Sequence, residues 1–245
     1  GSFPSAQGEN TGFGTMNSKG AKALIDYASG IFNAIQLGPA GKTKSCDSSP
    51  YTGTIFSLNP LFVDLKELTT KKWYNILSNE TFEDIVQNNP KKDINKTAYS
   101  YAYRKYADAL DEAYKNFTNI SDKNLLNEFE TFKAENNKWL DKDSIYEALT
   151  IEHKNDYWPV WESDKNLFSP ESIEERYENG KRLVEISEKY SYEIDKYKFI
   201  QFVLSKQAKE TLDYAKSKNI KMIADRQVAF SDRDIWAYKS LFLEG

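Results

Sequence analysis

The sequence predicts an α/β fold, dominated by helix, in which a strand-bearing framework is interrupted by a large helical insertion. Three observations carry this prediction. A short apolar run at residues 31–37 closes on Gly38-Pro39, and its length and boundary read as a buried strand. A second run, at 220–224, reads the same way and is followed by Asp225. Between them, from Asp64 to about Ser217, apolar residues recur at helical spacing. Helix, strand and polar loop in succession suggest an α/β unit.

Taken in order, residues 1–16 are rich in Gly, Ser, Asn and Pro and read as a loop. Asn17 and Ser18 offer caps for a helix whose apolar face is Ala21, Leu24, Ile25 and Ala28, with Gly30 as its stop. Helical periods with charged faces follow at 99–116, 125–140 and 144–152. Tyr197, Ile200, Leu204, Ala208, Thr211 and Ala215 then form one long stripe, ended by Lys218-Asn219. The chain thus divides into three parts. Residues 1–65 hold the first strand and its loop 38–65, 66–190 form a mainly helical insertion, and 191–245 return with a long helix at 191–217 and a strand at 220–225.

Composition narrows the function. The 245 residues allow a real hydrophobic core, and a 14% aromatic share argues against wholesale disorder while offering flat faces for stacking. With 33 basic and 37 acidic residues interspersed, the net charge of −4 provides no basic stripe, so nucleic acid and anionic membrane surfaces are poor partners. Cys46 has no partner for an internal disulfide, and with His153 it cannot build a structural zinc site. No window approaches the roughly 18 apolar residues that a bilayer span requires. Gly1-Ser2-Phe3-Pro4 lacks the regions of a signal peptide, and Gly1-Ser2 reads as a cloning scar, so a cytoplasmic location is expected. Sequons at Asn79, Asn95, Asn116 and Asn119 read as chance in an Asn-rich chain.

Several motifs invite chemistry. Gly38-Pro39-Ala40-Gly41-Lys42-Thr43 follows a strand like half of a phosphate-binding loop, but Gln36 stands where the first glycine belongs. The residues after it are loop-formers, not the helix whose N-terminus would hold a phosphate. Asp225 closes a strand, where barrel enzymes place functional groups; it could equally cap a helix or pair with Arg226 or Arg233. Ser49-Pro50-Tyr51 and Trp158-Pro159-Val160-Trp161 are aromatic clusters in loops, suited to sugar rings, although tryptophans more often fill core. His153 has no Ser or Cys partner and reads as a solvent-facing or core residue.

In order, these pieces resemble glycoside hydrolase family 77, the 4-α-glucanotransferases. That family has a strand ending in Leu-Gly-Pro-x-Gly, an Asp-Ser-Pro-Tyr loop, then Asn-Pro-x-x-Ile/Val-Asp-Leu. Here stand Leu37-Gly38-Pro39-Ala40-Gly41, then Asp47-Ser48-Ser49-Pro50-Tyr51, then Asn59-Pro60-Leu61-Phe62-Val63-Asp64-Leu65. Gly12-Phe13-Gly14-Thr15 is similar to the family's Tyr-Gly-x-Gly segment. Trp139-Leu140, Tyr146-Glu147-Ala148-Leu149 and Trp158-Pro159 follow in the expected order. Ile223-Ala224-Asp225 through Asp232-Arg233-Asp234-Ile235-Trp236-Ala237 looks like the third-strand motif. Residues 66–135 add little to the likeness.

The resemblance implies part of a (β/α)8 TIM barrel with a large mainly helical insertion, acting on α-1,4-glucans and maltooligosaccharides. The reaction implied is a retaining double displacement, in which one carboxylate attacks and a second acts as acid and then base, with no metal or cofactor. Matched by motif, the substrate-binding residues are Ser49, Tyr51 and Asp225: Tyr51 stacks on or bonds sugar near the cleavage point, and Asp225 contacts donor hydroxyls. The family's nucleophile and acid/base follow the fourth and fifth strands, beyond Leu243-Glu244-Gly245, so the chain alone is expected to be inactive and its partner is the remainder of the same polypeptide. Departures stand at Gln36, at Lys42 where an aromatic is common, and at Ala224 and Arg226-Gln227 around the acid. The alternatives are a non-catalytic glucan-binding protein and a helical interaction module.

Overall fold

A computed structural model describes residues 3–94 and 96–242; Gly1-Ser2, the Asn95 sequon and Leu243-Glu244-Gly245 lie outside the described residues. In chain order the α/β elements are α1 (Lys19–Ser29), β1 (Ala34–Gln36), α2 (Leu65–Leu68), α3 (Asn79–Gln87), α4 (Tyr99–Phe117) and α5 (Lys123–Glu152). They continue with α6 (Ile173–Lys189), α7 (Ser191–Ser217), β2 (Lys221–Ile223) and α8 (Asp232–Ala237). Helix predominates, and the described strands pair in parallel with Ala34 opposite Lys221, Ile35 opposite Met222 and Gln36 opposite Ile223.

The caps follow the sequence. The Ser18 side chain accepts from the Ala21 amide to start α1, and Gly30 closes it. The apolar face of α1 buries Ile25 and Ala28 against Ala215 of α7 and Ile220, with Ile35 and Met222 packed on them. This explains why the strands are less buried than the sequence predicts. Side chains alternate along a strand, so Ile35 and Met222 face the helices while Gln36, Lys221 and Ile223 face the open side. Ile223 is 50% exposed, and Ile31 and Phe32, at 59% and 62%, precede β1 rather than belonging to it.

The largest apolar cluster joins α4, α5 and α7. Phe117, Phe129, Phe199 and Phe202 from α4, α5 and α7 form a tight aromatic group, with Phe117 and Phe199 centroids 4.6 Å apart. A second cluster joins the C-terminal half of α5 to α6 and α8 through Tyr146, Trp161, Ile186 and Trp236. His153 stacks on Trp161 at 4.6 Å and bonds Asp164, so it is a partly buried structural histidine, and Trp161 fills core. Two helical periods predicted at 125–140 and 144–152 are one 30-residue helix. The polar break at Asp141-Lys142-Asp143 is absorbed by tertiary partners: Lys142 donates to the Ala237 carbonyl at 2.7 Å, and Asp143 is fully buried. Among the described residues no helix is long and apolar enough to cross a membrane.

The α7 helix also holds irregular chain in place. Buried Gln201 accepts from the Leu58 amide at 2.8 Å and donates to its carbonyl at 3.0 Å. Gln207 does the same for Asp64, at 2.8 and 3.2 Å. Each glutamine thereby imitates a strand neighbour and satisfies backbone groups that would otherwise lie unpaired.

Candidate functional site

Two loops leave the same end of the parallel pair: loop one, residues 37–59, after β1, and loop two, residues 224–231, after β2. Loop one folds back on itself. Gly41 bridges Leu58 in antiparallel fashion, the Lys42 amide donates to Ser57 O at 3.0 Å, and the Asn59 amide donates to Ala40 O at 2.9 Å. No helix starts at Lys42, which removes the phosphate-loop geometry; the next element is a single 3-10 turn at Pro50–Thr52. Asp47 builds that turn by accepting from the Ser49 amide and the Thr52 hydroxyl, both at 2.9 Å. The bond from the Ser49 amide, with that from Thr52, holds the Asp47 carboxyl below its usual range.

Of the predicted contact residues, Tyr51 stands half exposed at 49%, and Ser49 and Asp225 are partly exposed. The Tyr51 carbonyl accepts from the Ala229 amide at 3.4 Å, which joins the two loops directly. Asp225 accepts from the Arg226 backbone amide at 2.9 Å. It neither caps α8 nor pairs with Arg233: the cap is Ser231, in a reciprocal box with Asp234. Asp234 is fully buried and also accepts the Ile55 amide at 3.2 Å, so the capping carboxylate is spliced into loop one. Asp232 is engaged by Lys44 at 2.6 Å. A cavity of about 400 Å³ opens beside loop one, lined by Phe13, Leu37, Gly38, Ser48, Pro50 and Tyr99 rather than by Ser49, Tyr51 or Asp225.

A buried polar cluster behind the loops is what the sequence does not display. Arg233, 6% exposed, donates through Nη1 to the Asp143 carbonyl at 3.0 Å and to Tyr197 Oη at 2.6 Å, and through Nη2 to Glu147. Lys42 donates to Glu147 at 2.5 Å. Tyr197 donates to Ser57 Oγ at 2.6 Å, and Ser57 donates to Asp143. Burial alone would raise the Glu147 carboxyl, but Lys42 and Arg233 outweigh it and hold it at about 2. A smaller cavity of 170 Å³ lies against this cluster, lined by Lys42, Lys44, Tyr146, Glu147, Asp232 and Arg233. Among the described residues no group of His, Cys, Asp or Glu is arranged to hold a metal ion.

Asp143 behaves differently. Its Oδ1 has no hydrogen-bond partner among the described residues, and burial pushes its carboxyl up to about 6 against the opposing pull of Arg233 and Ser57. A carboxyl raised on folding binds its proton more tightly in the folded state. Stability is therefore lost as pH climbs from the unfolded value near 3.8 to about 6. Relative to Asp143→Asn, the wild type should lose on the order of 2 kcal/mol between pH 4 and 6.5. Urea midpoints across that range test this, and parallel profiles for the two proteins would refute it. Asp64, raised to about 7 by burial and its acidic neighbours, keeps a residual slope in both.

Comparison with known proteins agrees with this architecture. The profile of glycoside hydrolase family 77, described as 4-alpha-glucanotransferase, matches residues 2–245. The chain is 31% identical over 210 residues to a 4-alpha-glucanotransferase of Clostridium butyricum, covering 85% of this chain and 39% of that protein. It is 26% identical to the chloroplastic/amyloplastic 4-alpha-glucanotransferase of Solanum tuberosum, covering 87% and 34%. In three dimensions it resembles the amylomaltase from Streptococcus agalactiae, solved in complex with acarbose, with a TM-score of 0.78 at 22% identity over 96% of this chain and 44% of that one. The chain belongs to the 4-alpha-glucanotransferase family. It spans about two fifths of the length of the curated relatives it matches.

Proposed function

We propose that the chain is the amino-terminal portion of a 4-α-glucanotransferase that transfers α-1,4-glucan segments between maltooligosaccharides by a retaining double displacement. Residues 1–65 and 191–245 supply the first part of a (β/α)8 barrel, and residues 66–190 are its helical insertion. Loops one and two form one wall of the glucan cleft. Tyr51 stacks on the sugar near the cleaved bond, Ser49 bonds beside it, and Asp225 holds donor hydroxyls. The nucleophile and acid/base come from the remainder of the same polypeptide. That remainder also covers the apolar side chains left open near the strands, Ile31, Phe32, Ile223 and Val228. A single exposed free thiol, Cys46, suits a cytoplasmic setting.

The observation that carries this reading is the bond from the Ala229 amide to the Tyr51 carbonyl, which puts both loops at one end of a parallel strand pair. Ligands of α/β barrels bind at that end. The carboxylates at the start of α8 support a catalytic pair elsewhere, because Asp232 is tied to Lys44 and Asp234 is consumed by the helix cap and Ile55. In the full-length polypeptide, Tyr51→Ala should raise KM for maltoheptaose disproportionation about tenfold or more by removing a stacking face. A silent Tyr51→Ala would sink the assignment. Glucan binding without turnover by the wild type would instead give a non-catalytic glucan-binding protein.

A further inference from the structure

We infer that Glu147 is a positioning residue, the joint that fixes loop one against loop two and so sets glucan affinity without touching glucan. The inference rests on the function proposed above for the two loops, but its structural part is tested separately.

Lys42 belongs to loop one, and Arg233 stands two residues beyond the end of loop two. Both donate to the same atom, Oε2 of Glu147. Without that carboxylate, a partly buried ammonium of loop one and a buried guanidinium of α8, the helix that loop two leads into, would face each other with like sign. The same Tyr197 ring lies 5.3 Å from the Lys42 ammonium and 5.2 Å from the Arg233 guanidinium, so both approach one surface. Lys42 is depressed first by burial and, against the pull of Glu147, by the charge of Arg233. Glu147 thus converts a repulsion between the two cations into a shared attraction, stronger than at the open surface because Lys42 and Arg233 are largely shielded from water.

The joint is anchored at its own root. Glu147 sits on α5 between Tyr146 and Ala148, which are 2% and 0% exposed, so its Cα cannot drift. Its side chain keeps 31% exposure at the small cavity, so an isosteric change there opens no hole in the core. The other links are the Lys44–Asp232 ion pair, in which the carboxylate meets a cation of loop one alone, and the Asp234–Ile55 and Tyr51–Ala229 bonds, which involve backbone groups. Among these links the Glu147 carboxylate alone takes a charged partner from each side.

The test is Glu147→Gln in the full-length polypeptide, followed by amide hydrogen exchange and by maltoheptaose kinetics. The amide keeps an acceptor oxygen for both donors but removes the negative charge, so the two cations repel each other uncompensated. Exchange should rise about tenfold in both 42–57 and 226–234 while α7 amides stay protected, with KM up about tenfold and kcat within about threefold. Lys42→Met should loosen 42–57 alone. The inference is overturned if Glu147→Gln changes neither loop, loosens only one, or raises exchange evenly through α5 and α7, the last being mere loss of stability. If Glu147→Gln does not fold, Lys42→Met carries the test, and unchanged exchange in 42–57 overturns it. Absence of turnover in the wild type would remove the proposed function, while the exchange pattern still judges the joint.

Discussion

Arg233→Met is expected to destabilise the protein by about 3–5 kcal/mol, a large share of the ~5–15 kcal/mol that holds a domain folded. The substitution preserves apolar volume, so the loss is electrostatic. The guanidinium is buried and makes its bonds in two directions, Nη1 to the Asp143 carbonyl and Tyr197 Oη, Nη2 to Glu147. Removing it leaves the Tyr197 hydroxyl and the Asp143 carbonyl one donor short, and returns Glu147 to Lys42 alone. Arg233→Lys should recover less than half of the loss, because one ammonium cannot reproduce a planar fork with separated partners. Urea unfolding of wild type and both variants decides it. A cost below about 1 kcal/mol for Arg233→Met would mean that the cluster carries little of the stability, as exposed ion pairs do.

How much of this was legible depended on whether a residue's role is local or comes from a distant segment. The α1 cap at Ser18 and the stripe on α7 are visible because capping and helical periodicity are properties of neighbouring residues. The continuity of α5 was hidden, since Asp143 looks like an interruption until Ser57, from 86 residues away, is placed against it. The sequence predicts buried strands because an apolar run carries no information about which face another layer covers; here α1 and α7 cover one side. Loop one could be recognised by its wording alone, through the Asp47 turn and the Leu-Gly-Pro-x-Gly segment. In the sequence Lys42 is a departure from that wording, and Glu147 is one member of the Tyr146-Glu147-Ala148-Leu149 match. Read as a pair, two unusual charges in matching motifs were the available signal, but nothing local joins residues 105 apart.

Gly41→Ala should be the most damaging single methyl group that can be added to loop one. A Cβ at this position would lie 2.1 Å from the Thr54 carbonyl oxygen and 2.8 Å from its nitrogen, so the obstacle is backbone that cannot swing aside. Gly53 presses from the same direction, its own added Cβ falling 3.0 Å from the Gly41 oxygen. Relief requires the 41–43 and 53–58 segments to part, which breaks the bonds from the Lys42 amide to Ser57 O and from the Thr54 amide to Lys42 O. At roughly 1 kcal/mol each plus residual strain, the loss should exceed about 2 kcal/mol. With the role proposed above for Tyr51, which the displacement also carries, misplacement by about 1 Å can lower turnover about a hundredfold. Gly38→Ala is the control within the same motif. Nothing lies within 4 Å of a Cβ there, and its backbone is not left-handed, so stability should change by less than about 0.5 kcal/mol. Thermal unfolding and kcat/KM for both variants in the full-length polypeptide separate the cases. Equal effects at the two glycines would show that the motif is not governed by the close approach of loop one to itself.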